Sequence, residues 1–373
     1  DGPTGGPSRG RRAQQEEEQT LTKRTVVDVD ASHWSRGRRR GRRPLRAGGF
    51  GGLTAWIALA LLVAAGFAAG GATAAASPIH IGIVQFLEHP ALDAFRVGFI
   101  QAIEDAGYAI GEDIIIEYHN AQGDFSVSYT IAEKFVQDRV DLIFAIATGP
   151  VQAAASLTDT IPIVFAGVRD PVGAEVVDSF QRPGRNITGT THWTPVSEQI
   201  KLVLEIIPNA RRIGVVYNSG ELNSVIQVEE ARQWAAEYGL TLVERTAGST
   251  TDVRQAAESL VGSVDVIFIP TDNTVVAALE SVLAVAERFR IPVIASDIAT
   301  AQRGAAAAYG VDEIQLGRQA GEMALRILFE GADPATTPVE IQEVLDLAVN
   351  LEAAARMGLT IPEDVLERAR YRY

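Results

Sequence analysis

Five short stretches set polar, charged or aromatic side chains directly after an apolar run and before a helical pattern. The first is Gln85-Phe86-Leu87-Glu88-His89-Pro90, where an amide, a ring, a carboxylate and an imidazole precede a proline that suits the first turn of a helix. A helix start without ligand contact is the rival reading there, and His89 alone reads as an exposed cap. The second is Thr148-Gly149-Pro150: Gly149 permits a tight turn, and free amides with the Thr148 hydroxyl suit a carboxylate or merely cap the helix. In the third, Gly167-Val168-Arg169-Asp170-Pro171, Arg169 suits a carboxylate but can equally pair with Asp170. The fourth, Thr271-Asp272-Asn273-Thr274, offers two good N-caps, Asp272 and Asn273, ahead of a long helix. The last, Ser296-Asp297, carries a carboxylate out of a buried strand, a natural partner for an ammonium group. Tyr217-Asn218 ends a further apolar run and supplies a ring face and an amide, unless Tyr217 is simply core.

Catalytic alternatives find little support. There is no G-x-S-x-G elbow, Walker A loop, G-x-G-x-x-G or H-E-x-x-H. Beyond residue 76 the histidines are His80, His89, His119 and His192, scattered over separate segments, and the lysines are Lys134 and Lys201, both within helical patterns. The chain has no cysteine, which excludes disulfides, thiolate sites and a lipidated cysteine. The expectation is therefore a binding protein with no catalytic residue, no metal and no cofactor.

These stretches are positioned by alternating strands and helices. Apolar runs at 79–86, 113–118, 142–147 and 163–166 are separated by amphipathic helical patterns, and a second series begins at Arg212 and closes at 293–295. Such strands imply parallel sheets covered on both faces, hence an α/β chain with two doubly wound lobes. The stretch 181–189, rich in residues that interrupt regular structure, reads as the first hinge strand, and Ala305–Tyr309 reads as a crossing back. Lobe 1 is then 77–187 plus 308–337, and lobe 2 is 188–307 plus 338–373. Ligands of open α/β sheets bind beyond the carboxyl ends of the strands, which is where the five stretches lie.

The N-terminal part differs in kind. Residues 1–46 hold twelve basic against six acidic residues, while 21 basic and 41 acidic residues follow, giving the rest a net charge of about −20. An acidic body argues against nucleic acid as a partner. The Arg-rich stretch 36–46, the apolar run Leu53–Ala69 and the small residues up to Ala76 have the order of a secretory signal with a cut after Ala76. An uncleaved membrane anchor is the other reading of that run. Residues 1–35 lack apolar periodicity and are set aside as an upstream extension.

The phrases IPIVFAGVRDPVGAEVV (161–177), GRNITG (184–189), IPNARRIGVVYN (207–218), PTDNTVVAALESV (270–282), IPVIASD (291–297) and RGAAAAYGVDEIQLGRQAGEMALRIL (303–328) carry a resemblance, as does NLEAAARMGLTIPEDVLERA at 350–369. They resemble the ABC transporter substrate-binding family related to tryptophan- and tyrosine-binding proteins. The resemblance implies a type I periplasmic-binding-protein architecture, hinged lobes and a small-molecule ligand, an aromatic or branched amino acid. It also implies a periplasmic or other extracytoplasmic monomer that delivers to an ABC permease with a cytoplasmic ATPase. By that resemblance the loop at 85–90 and that at 167–171 line the cleft, Asn273 and Thr274 face it, and Asp297 is the preferred ammonium contact. A ligand-sensing receptor module of a signalling system is the alternative role on the same fold.

Overall fold

Residues 77–373 are described in the computed structural model of this chain. The expected signal segment, its cut after Ala76 and the upstream extension lie outside the described residues. Among the described residues, no helix is long and apolar enough to cross a membrane.

The first sheet contains β1 (Ile79–Gln85), β2 (Ile114–Asn120), β3 (Leu142–Ile146), β4 (Ile163–Val168) and β5 (Ile187–Thr191) in the order β2-β1-β3-β4-β5. Every neighbouring pair is parallel. Parallel neighbours need long connections, and α1 (Pro90–Asp105), α2 (Phe125–Asp138) and α3 (Thr148–Leu157) supply the first three. Apolar cores form on both faces of this sheet. One joins Phe95 and Phe99 to Phe144, and the other joins Phe135 and Val151 to Phe165.

The second half begins with α4 (Val196–Ile206), β6 (Arg212–Tyr217), α5 (Leu222–Glu237), β7 (Thr241–Thr246), α6 (Val253–Glu258) and β8 (Val266–Ile269). Then come α7 (Asn273–Ala277), α8 (Leu279–Phe289), β9 (Val293–Ala295), α9 (Ile298–Arg303) and β10 (Ala307–Gly310). After α10 (Glu313–Glu330), the chain ends with β11 (Asp346–Val349), α11 (Leu351–Arg356), α12 (Glu363–Arg368) and β12 (Tyr371–Arg372). The second sheet has the order β12-β11-β10-β9-β8-β6-β7 and is parallel except where β10 meets β11.

Three segments depart from the expected crossings. β5 stays in the first sheet beside β4, so the first crossing follows Thr191 and not residue 187. Gly189 makes this possible, since a Cβ there would lie 2.2 Å from the Phe165 carbonyl oxygen. Ala305–Tyr309 does not cross: its fully buried alanines build β10 inside the second sheet, and only α10 returns to the first core, through Leu316, Ala320 and Met323. Val339–Ile341 also stays with the first half, where Glu340 bridges to Thr190 beside β5 and Val339 joins the core.

Candidate functional site

A pocket opens where chain ends of both sheets meet. Its walls come from α1 and its cap (His89, Ala91, Leu92, Phe95), from the end of β4 and the residue after it (Gly167, Arg169), from the segments after β5 (His192), β8 (Thr271, Asp272) and β9 (Asp297), and from α5 and α7 (Asn223, Asn273, Val276). The space enclosed is about 20 Å³, room for about one water.

The second half's wall is prepared by a buried carboxylate. Glu221 Oε2 accepts from the Asn273 amide (3.0 Å) and Nδ2 (2.6 Å), and Oε1 accepts from the Thr274 amide (2.9 Å) and hydroxyl (2.7 Å). Asp272 caps α7 by accepting from Val275 N (2.8 Å), and its other oxygen accepts from Asn218 N (2.6 Å). Burial, then the Glu221 charge, push Asp272 up to about 8, against those two amides, which favour its carboxylate. Gln227 fixes the neighbouring strand ends: its Oε1 accepts from the Thr271 amide and hydroxyl, and its Nε2 donates to Ser296 Oγ (2.8 Å).

Two contacts tie the halves across the pocket. His89 caps α1 by accepting from Leu92 N at Nδ1 (3.5 Å), which leaves Nε2 to donate to Asn273 Oδ1 at 3.2 Å. It is a cap as the sequence suggests, but a buried one, and burial lowers its pKa to about 4. Arg169 is 1% exposed; its Nη1 donates to the carbonyl and hydroxyl of Thr194, and Nη2 donates to Glu230 on α5 at 2.6 Å. The pairing of Arg169 with Asp170 does not occur, because Asp170 turns away to accept from Gly173 N at 2.8 Å.

Against these satisfied networks stand buried atoms without a hydrogen-bond partner: Arg169 Nε, His192 Nε2 and Asp297 Oδ1 on lining residues, and Glu313 Oε1 next to the last two. His192 sits edge-on to Phe95, with ring centroids 5.6 Å apart. Its Nε2 lies 3.3 Å from Asp297 Oδ1 and 4.0 Å from Glu313 Oε1. Neither contact has hydrogen-bond geometry, and burial, reinforced by Arg169, lowers His192 to about 3, so the imidazole is neutral and these are not ion pairs. Burial raises Asp297 to about 7 against the pull of Arg303, and burial followed by the Asp297 charge raises Glu313 well above the carboxylate range. The three side chains are close enough to surround one small cation.

The sequence candidates divide accordingly. Gly167, Arg169, Asp272, Asn273 and Asp297 line the pocket; Asn218, Thr274 and Ser296 brace it from behind. The others lie elsewhere. Gln85 donates to Leu87 O and Asp93 and accepts from Arg96, bracing α1. Phe86 packs on Phe125, Glu88 accepts from the Tyr118 hydroxyl, and the Tyr217 hydroxyl donates to Glu244. Thr148 and Gly149 form the first turn of α3, with Gly149 pressed against Phe125, and neither lines the pocket. His192, Glu221, Asn223, Phe95 and Glu313 were not among the candidates. Placing β5 in the first sheet would have put His192 at a strand's carboxyl end, the one signal the sequence offered for it.

A family model described as ABC transporter substrate binding protein matches residues 80–372. The chain belongs to this family. It is 41% identical over 271 residues to a tyrosine-binding protein of Clostridioides difficile, spanning 73% of this chain and 78% of that protein. An ABC domain from Streptococcus pneumonia, solved in complex with L-Trp, superposes with a TM-score of 0.76 at 33% identity, covering 80% of this chain and all of that one. The ligand-free, open structure of a substrate-binding protein with adhesive properties from Clostridium difficile superposes with a TM-score of 0.60 at 39% identity, covering 79% and 98%. The architecture is the type I periplasmic-binding-protein fold, and the family is extracytoplasmic.

Proposed function

We propose that this protein captures an aromatic or branched α-amino acid between its lobes and delivers it to the permease of an ABC importer, without chemistry on the ligand. The observation that carries the reading is the pairing of unsatisfied groups in one pocket: a buried guanidinium donor, Arg169 Nε, and a buried carboxylate oxygen, Asp297 Oδ1. A buried ionisable group without partners is costly, so opposite groups of this kind fit a zwitterion that satisfies both. Arg169 takes the carboxylate and Asp297 the ammonium. Leu92, Phe95 and Val276 give the side chain an apolar wall. The names of the tyrosine-binding relative and the L-Trp complex support the ligand class.

Lobe closure belongs to the same reading. The L-Trp complex superposes better than the open, ligand-free relative although its identity is lower, which supports a closed arrangement here. With so little free space, an amino acid enters only after the lobes part, and the ligand stabilises closure because only the closed state offers both charged contacts. The division into lobes is proposed to follow the sheets, with crossings after Thr191, after Gly310 and before β11. A thermal unfolding screen of ligand-stripped protein against amino acids and other metabolites tests the reading. At a thousand times its Kd, a true ligand stabilises by about 4 kcal/mol. A midpoint raised by a sugar or an organic acid and by no amino acid would refute it.

A further inference from the structure

His192 and Asp297 line the pocket and Glu313 stands next to them: each offers one atom within 4.8 Å of the others, and His192 Nε2, Asp297 Oδ1 and Glu313 Oε1 have no hydrogen-bond partner. Glu313 opens an 18-residue helix that packs on the first core, whereas Asp297 follows β9 of the second sheet. The pair therefore spans the two lobes. Two carboxylates this close and this buried cannot both be ionised without a cation between them.

Among the described residues, no cationic side chain donates a hydrogen bond to the pair. Arg303, which acts on Asp297 from α9, is held by Glu280 and the Val276 carbonyl. Arg169 lies beside His192 but is committed to Thr194 and Glu230. His192 and His89, the imidazoles facing the cluster, are buried and neutral. On the Glu313 side stand Asp312, Asp346 and the Tyr373 hydroxyl, and Asp346 is itself paired with Arg370.

We propose that Glu313 and Asp297 form a two-carboxylate ammonium site shared by both lobes, and that the ligand's ammonium enters it in exchange for one bound proton. Without ligand, the pair holds one proton and one negative charge. As the ammonium enters, that proton leaves to solvent, both carboxylates ionise, and the net charge of the ensemble is unchanged. The site thereby selects a ligand that brings its own positive charge, and an analogue lacking the amine leaves the proton in place. This rests on the amino-acid reading above and adds to it a second acid and a proton count.

Calorimetric titration of the protein with L-tyrosine and L-tryptophan, in buffers of different ionisation enthalpy, counts the protons directly. We expect about one proton released per ligand near pH 8, and more below pH 7, where Asp297 also holds a proton, with a Kd that rises by up to about tenfold per unit fall in pH for each proton released. Glu313→Gln binds the amino acid more weakly, releases few protons and flattens that pH dependence, and the last two changes are ones that a purely structural role for Glu313 would not produce. Tight binding with no proton released, or unchanged release by Glu313→Gln, overturns the proposal while leaving the amino-acid reading intact. If no amino acid binds, both fall. A rise in melting temperature with Zn²⁺ alone, abolished by Glu313→Gln, overturns it in favour of a metal ion.

Discussion

At the residue scale, Arg169 and Asp297 show both the reach of the sequence and where it stops. Their types and their places after apolar strands mark them as partners for a carboxylate and an ammonium, but only packing decides what else they touch. Arg169 spends two of its nitrogens on Thr194 and Glu230 and keeps Nε free, a division no spacing reveals. Glu313 escapes notice for a related reason: a glutamate in the first turn of a helix looks like dipole complementarity until the helix is seen to cross between lobes. Losing a charge-assisted hydrogen bond costs about 1.5–3 kcal/mol, so Arg169→Gln and Asp297→Asn should each weaken amino-acid binding about tenfold to a hundredfold. Calorimetry checks this, with circular dichroism confirming the fold; unchanged affinity in either variant would remove that residue from the site. Tyr217→Phe loses only the hydroxyl that donates to Glu244, far from the pocket lining, and should bind as tightly as the parent.

At the scale of elements, the alternating periodicity exposed most strands and the longer helices, because buried parallel strands and amphipathic helices write their period directly into the sequence, but it left α4, α9, α11, α12 and β12 unread. What it could not show is which sheet a strand joins. β5 and β10 are short, β5 carrying Gly189 among threonines and β10 being mostly Ala and Gly, so their membership is decided by close backbone approach and not by pattern. The same kind of approach fixes α10 on α1. A Cβ at Gly98 would lie 2.1 Å from the Ile314 carbonyl oxygen, and one at Gly317 would lie 2.2 Å from that of Phe95. Gly317→Ala must push the helices apart and should cost about 1–3 kcal/mol, read from urea unfolding. Because α10 carries Glu313 into the pocket and α1 carries Phe95, the same variant should also bind more weakly. A variant of parent stability would show that the two helices do not need this contact.

The whole molecule stores its pocket as uncompensated charge, and that has a signature in pH. Asp297 and Asp272, raised to about 7 and about 8, hold protons in the folded state that the unfolded chain releases near pH 4. The stability they contribute is complete at low pH and is lost as pH rises through 7 and 8. His89 and His192, lowered to about 4 and 3, act oppositely: their share is complete above about pH 6.5 and is lost as pH falls through those values. The two trends oppose each other between about pH 4 and 6.5, and only the acids titrate above that. The melting temperature of ligand-free protein should therefore fall between pH 6.5 and 8.5, and Asp297→Asn should flatten the fall. A flat or rising profile in the parent would mean that these carboxyls ionise freely. None of this was visible in the sequence, where Asp272 and His89 appear as ordinary helix caps.

The proposed recognition of both charges of an α-amino acid by one pocket is tested by comparing four ligands by calorimetry. L-tryptophan carries both charges, L-tyrosine does likewise with a different ring, tryptamine lacks the carboxylate, and 3-indolepropionate lacks the ammonium. At least one of the two amino acids should bind, and removing either charge should weaken binding by tenfold or more. Equal affinity for tryptophan and 3-indolepropionate, or binding of neither amino acid, would contradict it.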